Sequence, residues 1–151
     1  MHRAAFCVQK YMKKAKQKWG EYYIIKTDVA KYFNSINKRI LVEILGRKIK
    51  DPKLMWVINE ILFAQKREKG LEIGNYTSQI FANIYLNEVD QYIKHDLKIR
   101  YYVRYLDDSI LIVQTKQEAK QILELVRTFL KEKLELDLND KTQIFKGKQG
   151  V

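Results

Sequence analysis

Tyr101-Tyr102-Val103-Arg104-Tyr105-Leu106-Asp107-Asp108-Ser109-Ile110-Leu111-Ile112-Val113 is the stretch that decides the fold. It reads as two β-rich runs, over 100–105 and 109–114, joined by a short turn containing Leu106, Asp107 and Asp108. Aromatic and β-branched residues suit a pleated, half-buried surface. Asp tolerates the backbone of a tight turn and bonds locally there. A hairpin of this kind needs further elements to cover its apolar faces, and the flanking sequence supplies them.

Downstream, a charged amphipathic helix is expected over 116–132, followed by weak strands near 135–138 and 142–146. Upstream, Thr77 or Ser78 opens a long helix to about His95, preceded by a loop over 65–76 that contains Gly70 and Gly74. Asp51-Pro52 starts a helix running to about Ala64, with Pro in its first turn, and Asn37 caps another over 38–49. Tyr22-Tyr23-Ile24-Ile25 reads as a buried strand leading into Asp28. Residues 3–18 read as a helix with Ala5, Val8, Met12 and Ala15 near one face, lysines elsewhere and Gly20 at its end. The order strand, helices, strand, strand, helix, strand matches an α+β, ferredoxin-like split βαβ arrangement. Such a fold hosts many functions, so the sites must decide.

The chain has 151 residues, 46% of them hydrophobic, enough for one domain with a real core. Its formal charge of +11 points to a polyanionic partner. Cys7 is the single cysteine, which excludes an internal disulfide and makes a reduced, cytoplasmic compartment the default. No apolar run approaches the roughly 20 residues that span a bilayer, and no membrane association is expected.

Asp28 falls at the C-terminal end of the first strand, and Asp107 and Asp108 fall in the hairpin turn. In a ferredoxin-like sheet those ends can be neighbours. Carboxylates gathered in one place repel one another unless a cation sits between them. Mg²⁺ prefers such oxygen ligands, shared with substrate phosphates, and two such ions can clamp an in-line phosphoryl displacement. The plain alternative is a turn Asp pair and a strand-terminal Asp with no chemistry.

The context favours chemistry. Asp28-Val29-Ala30-Lys31-Tyr32-Phe33, Gly70-Leu71-Glu72-Ile73-Gly74-Asn75-Tyr76-Thr77-Ser78-Gln79 and Tyr105-Leu106-Asp107-Asp108 occur in that order. Together they resemble the first catalytic motif, the motif preceding the long palm helix and the YxDD box of reverse transcriptases. The form ending in Ser78-Gln79 is similar to the diversity-generating retroelement branch, with group II intron and retron enzymes as the alternative branches. Glu72 stands where relatives often have Pro.

The resemblance implies a catalytic palm for RNA-directed DNA polymerisation. Asp28, Asp107 and Asp108, with the Val29 carbonyl, would hold two Mg²⁺ ions, Mn²⁺ being a substitute. Ala30, Lys31, Tyr32, Phe33, Gly74 and Gln79 would surround the incoming dNTP, Phe33 as a gate against the ribose 2′-hydroxyl. Leu136-Asp137-Leu138-Asn139-Asp140-Lys141-Thr142 resembles the family's fourth motif, and Lys141 would steady the triphosphate or protonate pyrophosphate. Arg3, Lys10, Lys13, Lys14 and Tyr105 are expected to meet an RNA template and DNA primer, and relatives of this branch act with an accessory protein. Phe33 as a core aromatic and Lys141 as a plain surface lysine remain the bland alternatives.

The implied division is a fingers-side helix over 1–21 and a palm over 22–151, without the thumb that relatives carry. On that basis the chain is expected to be a truncated palm. A catalytically inactive fragment and a non-catalytic nucleic-acid-binding module stand beside the polymerase as alternatives. The oligomeric state is left open.

Overall fold

A computed structural model describes residues 2–72 and 75–147, and its centre is the expected hairpin. Strand β2 (Tyr101–Tyr105) pairs antiparallel with β3 (Asp108–Val113), leaving Leu106 and Asp107 as a two-residue loop. Leu106 takes a φ of 54°, which a branched side chain rarely adopts. Strand β1 (Tyr23–Asp28) pairs antiparallel with β3, and β4 (Gln143–Lys146) pairs antiparallel with the other edge of β1. The sheet order is β2-β3-β1-β4. β1 and β2 therefore run the same way with β3 between them, the split βαβ arrangement expected from the sequence.

Six α-helices accompany the sheet among the described residues: α1 (His2–Trp19), α2 (Tyr32–Ser35), α3 (Lys38–Lys48), α4 (Pro52–Leu62), α5 (Tyr76–Gln91) and α6 (Lys116–Leu134). Alternation along the strands divides the core in two. On one face Ile25, Tyr102, Leu111 and Val113 share a buried cluster with Tyr85, Leu86 and Val89 of α5 and Val126, Leu130 and Leu134 of α6. On the other face Ile24, Tyr101 and Ile112 join Tyr22 and the Met12–Ala15 stripe of α1. Ala5 of the expected α1 stripe is exposed instead.

Caps explain several boundaries. Asn37 accepts from the backbone of Arg39 and Ile40, Asp51 from Lys53, and Thr115 from Glu118. Helix α5 starts earlier than expected because Asn75 caps it, its side chain accepting from the Thr77 amide. It also ends earlier: the expected run to His95 becomes a π-helical turn over Tyr92–Asp96, where Tyr92 stacks on Phe129 of α6 at 4.3 Å between ring centroids. The strand expected over 135–138 is a single bridge between Leu138 and Val29. Glu135, in the left-handed conformation, caps α6 and takes up the first of those residues.

Candidate metal and nucleotide site

The hairpin loop and the end of β1 meet in register. Asp28 lies directly opposite Asp108 across the β1–β3 ladder. By the two-residue alternation both side chains point to the α1 face, while Thr27 and Ser109, one step back, point inward and join their hydroxyls. Asp107 comes from the loop. The three carboxylates offer oxygens that all lie within 4.8 Å of one another.

Backbone contacts fix the end of β1. The Val29 amide donates to the Asp107 carbonyl at 3.4 Å, stitching β1 to the loop. From the opposite side, the Asn139 amide donates to the Asp28 carbonyl at 2.8 Å and the Ala30 amide to the Asp137 carbonyl at 2.8 Å. The Asp28 amide donates to the Thr142 hydroxyl at 3.1 Å. Asp28 thus sits between two braces, one on each flank of β1.

Burial pushes the Asp107 carboxyl above the ordinary carboxylate range, the charge of Asp28 adds to this, and Lys141 opposes it. Burial, then the charges of Asp28 and Asp107, push Asp108 the same way, and Lys26 opposes. A hard divalent cation is the ligand such a donor set fits, because it removes the repulsion that the fold imposes. Val29, directly after Asp28, is buried in the core.

The other expected site residues lie on several elements. Ala30 and Lys31 follow on the same chain end, Lys31 in the left-handed conformation that turns the backbone into α2. Tyr32 lies in the core, its hydroxyl donating to the Ala82 carbonyl of α5, and burial raises that phenol well above its usual range. Phe33 is half-buried, its ring 5.7 Å from that of Tyr32. Gln79 is exposed on the first turn of α5. Gly74 lies outside the described residues. Lys141 is exposed in the loop that braces Asp28. Arg3, Lys10, Lys13 and Lys14 are exposed along α1, and Tyr105 is exposed at the end of β2. Between α1 and the sheet, beside Asp108, lies a cavity of about 420 Å³ lined by Val8, Met12, Val103, Tyr105 and Ile110.

Sequence reasoning passed over four residues that shape this region. Asn139 and Thr142 brace Asp28. Behind the hairpin, Arg104 forms an ion pair with Asp90 of α5 at 2.8 Å, with both side chains largely buried. A charged residue on the buried stripe of α5 requires a partner, and that stripe was the signal that could have found the pair.

The family model described as reverse transcriptase (RNA-dependent DNA polymerase) matches residues 2–151. The protein YkfC of Escherichia coli is 28% identical over 81% of this chain and 43% of its own length. The COX1/OXI3 intron 2 protein of Saccharomyces cerevisiae is 24% identical over 85% of this chain and 23% of its own. A telomerase from Candida tropicalis, solved with a fragment of telomeric RNA, superposes with a TM-score of 0.76 at 16% identity. That match covers 100% of this chain and 30% of the telomerase chain. The chain therefore spans less than half the length of either curated relative. No helix among the described residues is long and apolar enough to cross a membrane.

Proposed function

Since this chain belongs to the reverse transcriptase (RNA-dependent DNA polymerase) family, we propose that it carries the palm of an enzyme that transfers deoxynucleotides to a primer 3′-hydroxyl on an RNA template. The observation that carries this is the Asp28–Asp107–Asp108 cluster at the meeting point of β1 and the β2–β3 hairpin. The three carboxylates and the Val29 carbonyl would hold two Mg²⁺ ions, with Mn²⁺ as a substitute. When bound, such ions supply the positive charge that in-line phosphoryl displacement requires. In that displacement the primer 3′-hydroxyl gives up its proton to solvent and its oxygen bonds the α-phosphorus, the bond from that phosphorus to the oxygen bridging to the β-phosphate breaks, and pyrophosphate leaves.

The protein's share is positioning and electrostatics. The braces on Asp28 hold its carboxylate at a fixed point in the sheet. Phe33 would meet the deoxyribose and exclude a 2′-hydroxyl, and Tyr32 would support it from the core. Ala30, Lys31, Gly74 and Gln79 would complete the nucleotide's surroundings. Lys141, near enough to Asp107 to influence its charge, would meet the triphosphate. Residues 1–21 would serve as a fingers-side helix and 22–151 as the palm. Ser78-Gln79 supports the diversity-generating branch within this reading, and an accessory protein would follow from that branch.

Extension of a labelled primer on RNA, with deoxynucleotides and Mg²⁺, tests the activity. Extension abolished by Asp28→Asn and by Asp107→Asn supports it, and extension that survives both refutes it. Manganese binding to the 151-residue chain, followed by electron paramagnetic resonance, reads the site without turnover. Affinity unchanged in both variants would overturn the metal assignment.

The second reading, a nucleic-acid-binding module, is favoured by one observation: the exposed Arg3, Lys10, Lys13 and Lys14 of α1 on a chain of charge +11. Binding through phosphates would fall steeply with salt and tolerate any sequence.

A further inference from the structure

The hairpin loop holds an unfavourable conformation, and the side chain that restrains it lies on the far face of the sheet. Tyr101, Val103 and Tyr105 of β2 point to the α1 side, whereas Tyr102 and Arg104 point to the helices. The Arg104 guanidinium forks onto Asp90, Nε to Oδ1 at 2.8 Å and Nη2 to Oδ2 at 2.8 Å. The Tyr102 hydroxyl donates to the same Oδ1, so Asp90 is itself held in place. The remaining nitrogen, Nη1, donates to the Leu106 carbonyl at 2.8 Å and to the Asn83 side chain at 3.2 Å.

That last carbonyl is the informative one. Leu106 sits at a φ of 54°, a conformation unfavourable for an L residue that persists where its surroundings over-determine it. The Leu106 carbonyl begins the peptide that leads into Asp107. The Asp107 carbonyl, one residue on, accepts from the Val29 amide at 3.4 Å. Asp107 is therefore restrained on both sides, by Arg104 before it and by Val29 after it. Arg104 in turn is anchored by α5 through Asp90 and Asn83.

We infer that Arg104, seated on Asp90, is a positioning residue that sets the hairpin loop so that Asp107 and Asp108 meet Asp28. It acts through the Leu106 carbonyl. A lysine there keeps the charge but lacks the planar fork that engages Asp90 and the loop together.

The test uses the 151-residue chain and the variants Arg104→Gln, Arg104→Lys and Asp90→Asn. Tyr85→Phe is the comparator: it removes a hydroxyl that donates to the Leu134 carbonyl of α6, away from the hairpin. The first readout is hydrogen exchange of the Val29 amide in metal-free protein. Arg104→Gln should lower its protection about tenfold, the loss expected for one charge-assisted hydrogen bond, with Arg104→Lys in between. Tyr85→Phe should leave Val29 unchanged relative to the slowest core amides. The second readout is Mn²⁺ affinity. It should fall about tenfold in Arg104→Gln, the usual penalty for losing a partner that orients a metal ligand, and stay level in Tyr85→Phe.

The second readout rests on the metal reading above, and the first does not. A wild-type chain that binds no Mn²⁺ counts against the metal assignment, while the exchange data still decide the role of Arg104. Where Arg104→Gln fails to fold, Arg104→Lys and Asp90→Asn carry the same comparison. Val29 protection equal to wild type in the folded Arg104 and Asp90 variants, or lost equally in Tyr85→Phe, overturns the inference.

Discussion

Replacing Asp108 with Asn should make the metal-free protein more stable while damaging its site. Asp108 faces Asp28 directly across the ladder and adjoins Asp107 in the chain, with oxygens of all three within 4.8 Å. At that separation two unit charges repel by about 0.9 kcal/mol in bulk water. Asp108 is exposed, so the bulk value applies and solvent screening lowers it further. Part of the repulsion from Asp107 also survives in the unfolded chain. A net gain of about 0.5 kcal/mol remains, worth roughly 1–2 °C in melting temperature for a domain of this size. The pH dependence has a definite sign. The fold raises the pKa of Asp108, so its penalty is complete above the folded pKa and is relieved as pH falls through that value toward the unfolded one. The gap between Asp108→Asn and wild type should be widest at neutral pH and close in acid. Divalent cation should reverse the order, since a ligand that binds the folded state stabilises it in proportion to its affinity. Thermal melts with and without Mn²⁺ across that pH range measure all three effects. A metal-free variant no more stable than wild type at neutral pH would refute the reasoning.

Tyr32→Phe removes a buried hydroxyl that donates to the Ala82 carbonyl; that carbonyl keeps its place within α5, so the loss should be that of one hydrogen bond, about 0.5–1.5 kcal/mol, read by urea denaturation. Phe33→Ala should admit ribonucleotides more readily in primer extension while keeping some deoxynucleotide incorporation; unchanged discrimination would make Phe33 a core aromatic and nothing more. Gly147→Ala should destabilise the β4 end by about 1–3 kcal/mol, because a Cβ there would stand 2.0 Å from the Tyr22 ring, and a melting temperature equal to wild type would contradict that packing. Changing Lys10, Lys13 and Lys14 to Gln should flatten the salt dependence of RNA binding, the slope falling by about 0.7–0.9 for each phosphate no longer neutralised; an unaltered slope would place the nucleic acid elsewhere.

The sheet was legible because its strands are short apolar or aromatic runs with turn residues at their ends. Tyr22–Ile25 and the two arms of the hairpin allow one pattern of burial, and the crossover helices force the order in which they pair. Where local signals competed, the reading slipped. Asn75, Thr77 and Ser78 are all good caps, and the choice among them is made by the fold. The π-helical turn after Gln91 has no composition of its own and accompanies the docking of Tyr92 on Phe129. Residues 135–138 alternate like a strand, yet Leu136 is wholly buried and Glu135 turns through the left-handed region, so one bridge is all that remains.

For the site, sequence order brought the three aspartates to attention but could not say what holds them. A turn with Leu at its first position is a poor hairpin loop by local preference, since that position in these turns favours Gly or Asn. Such a conflict is resolved by something outside the loop. Two further oddities had the same shape: Asp90 as the one charged residue on a buried stripe with Ser78, Phe81, Ala82, Tyr85, Leu86 and Val89, and Arg104 on the inward face of β2. Each is costly alone, because a buried charge needs a partner. The three costs are met together, since the Asp90–Arg104 pair satisfies both charges and directs its remaining donor to the Leu106 carbonyl. A buried ion pair is a weak source of stability compared with apolar packing. Its value here lies in direction: a planar guanidinium fixed at one end by Asp90 presents a donor at the other at one place, and the hairpin loop must come to it.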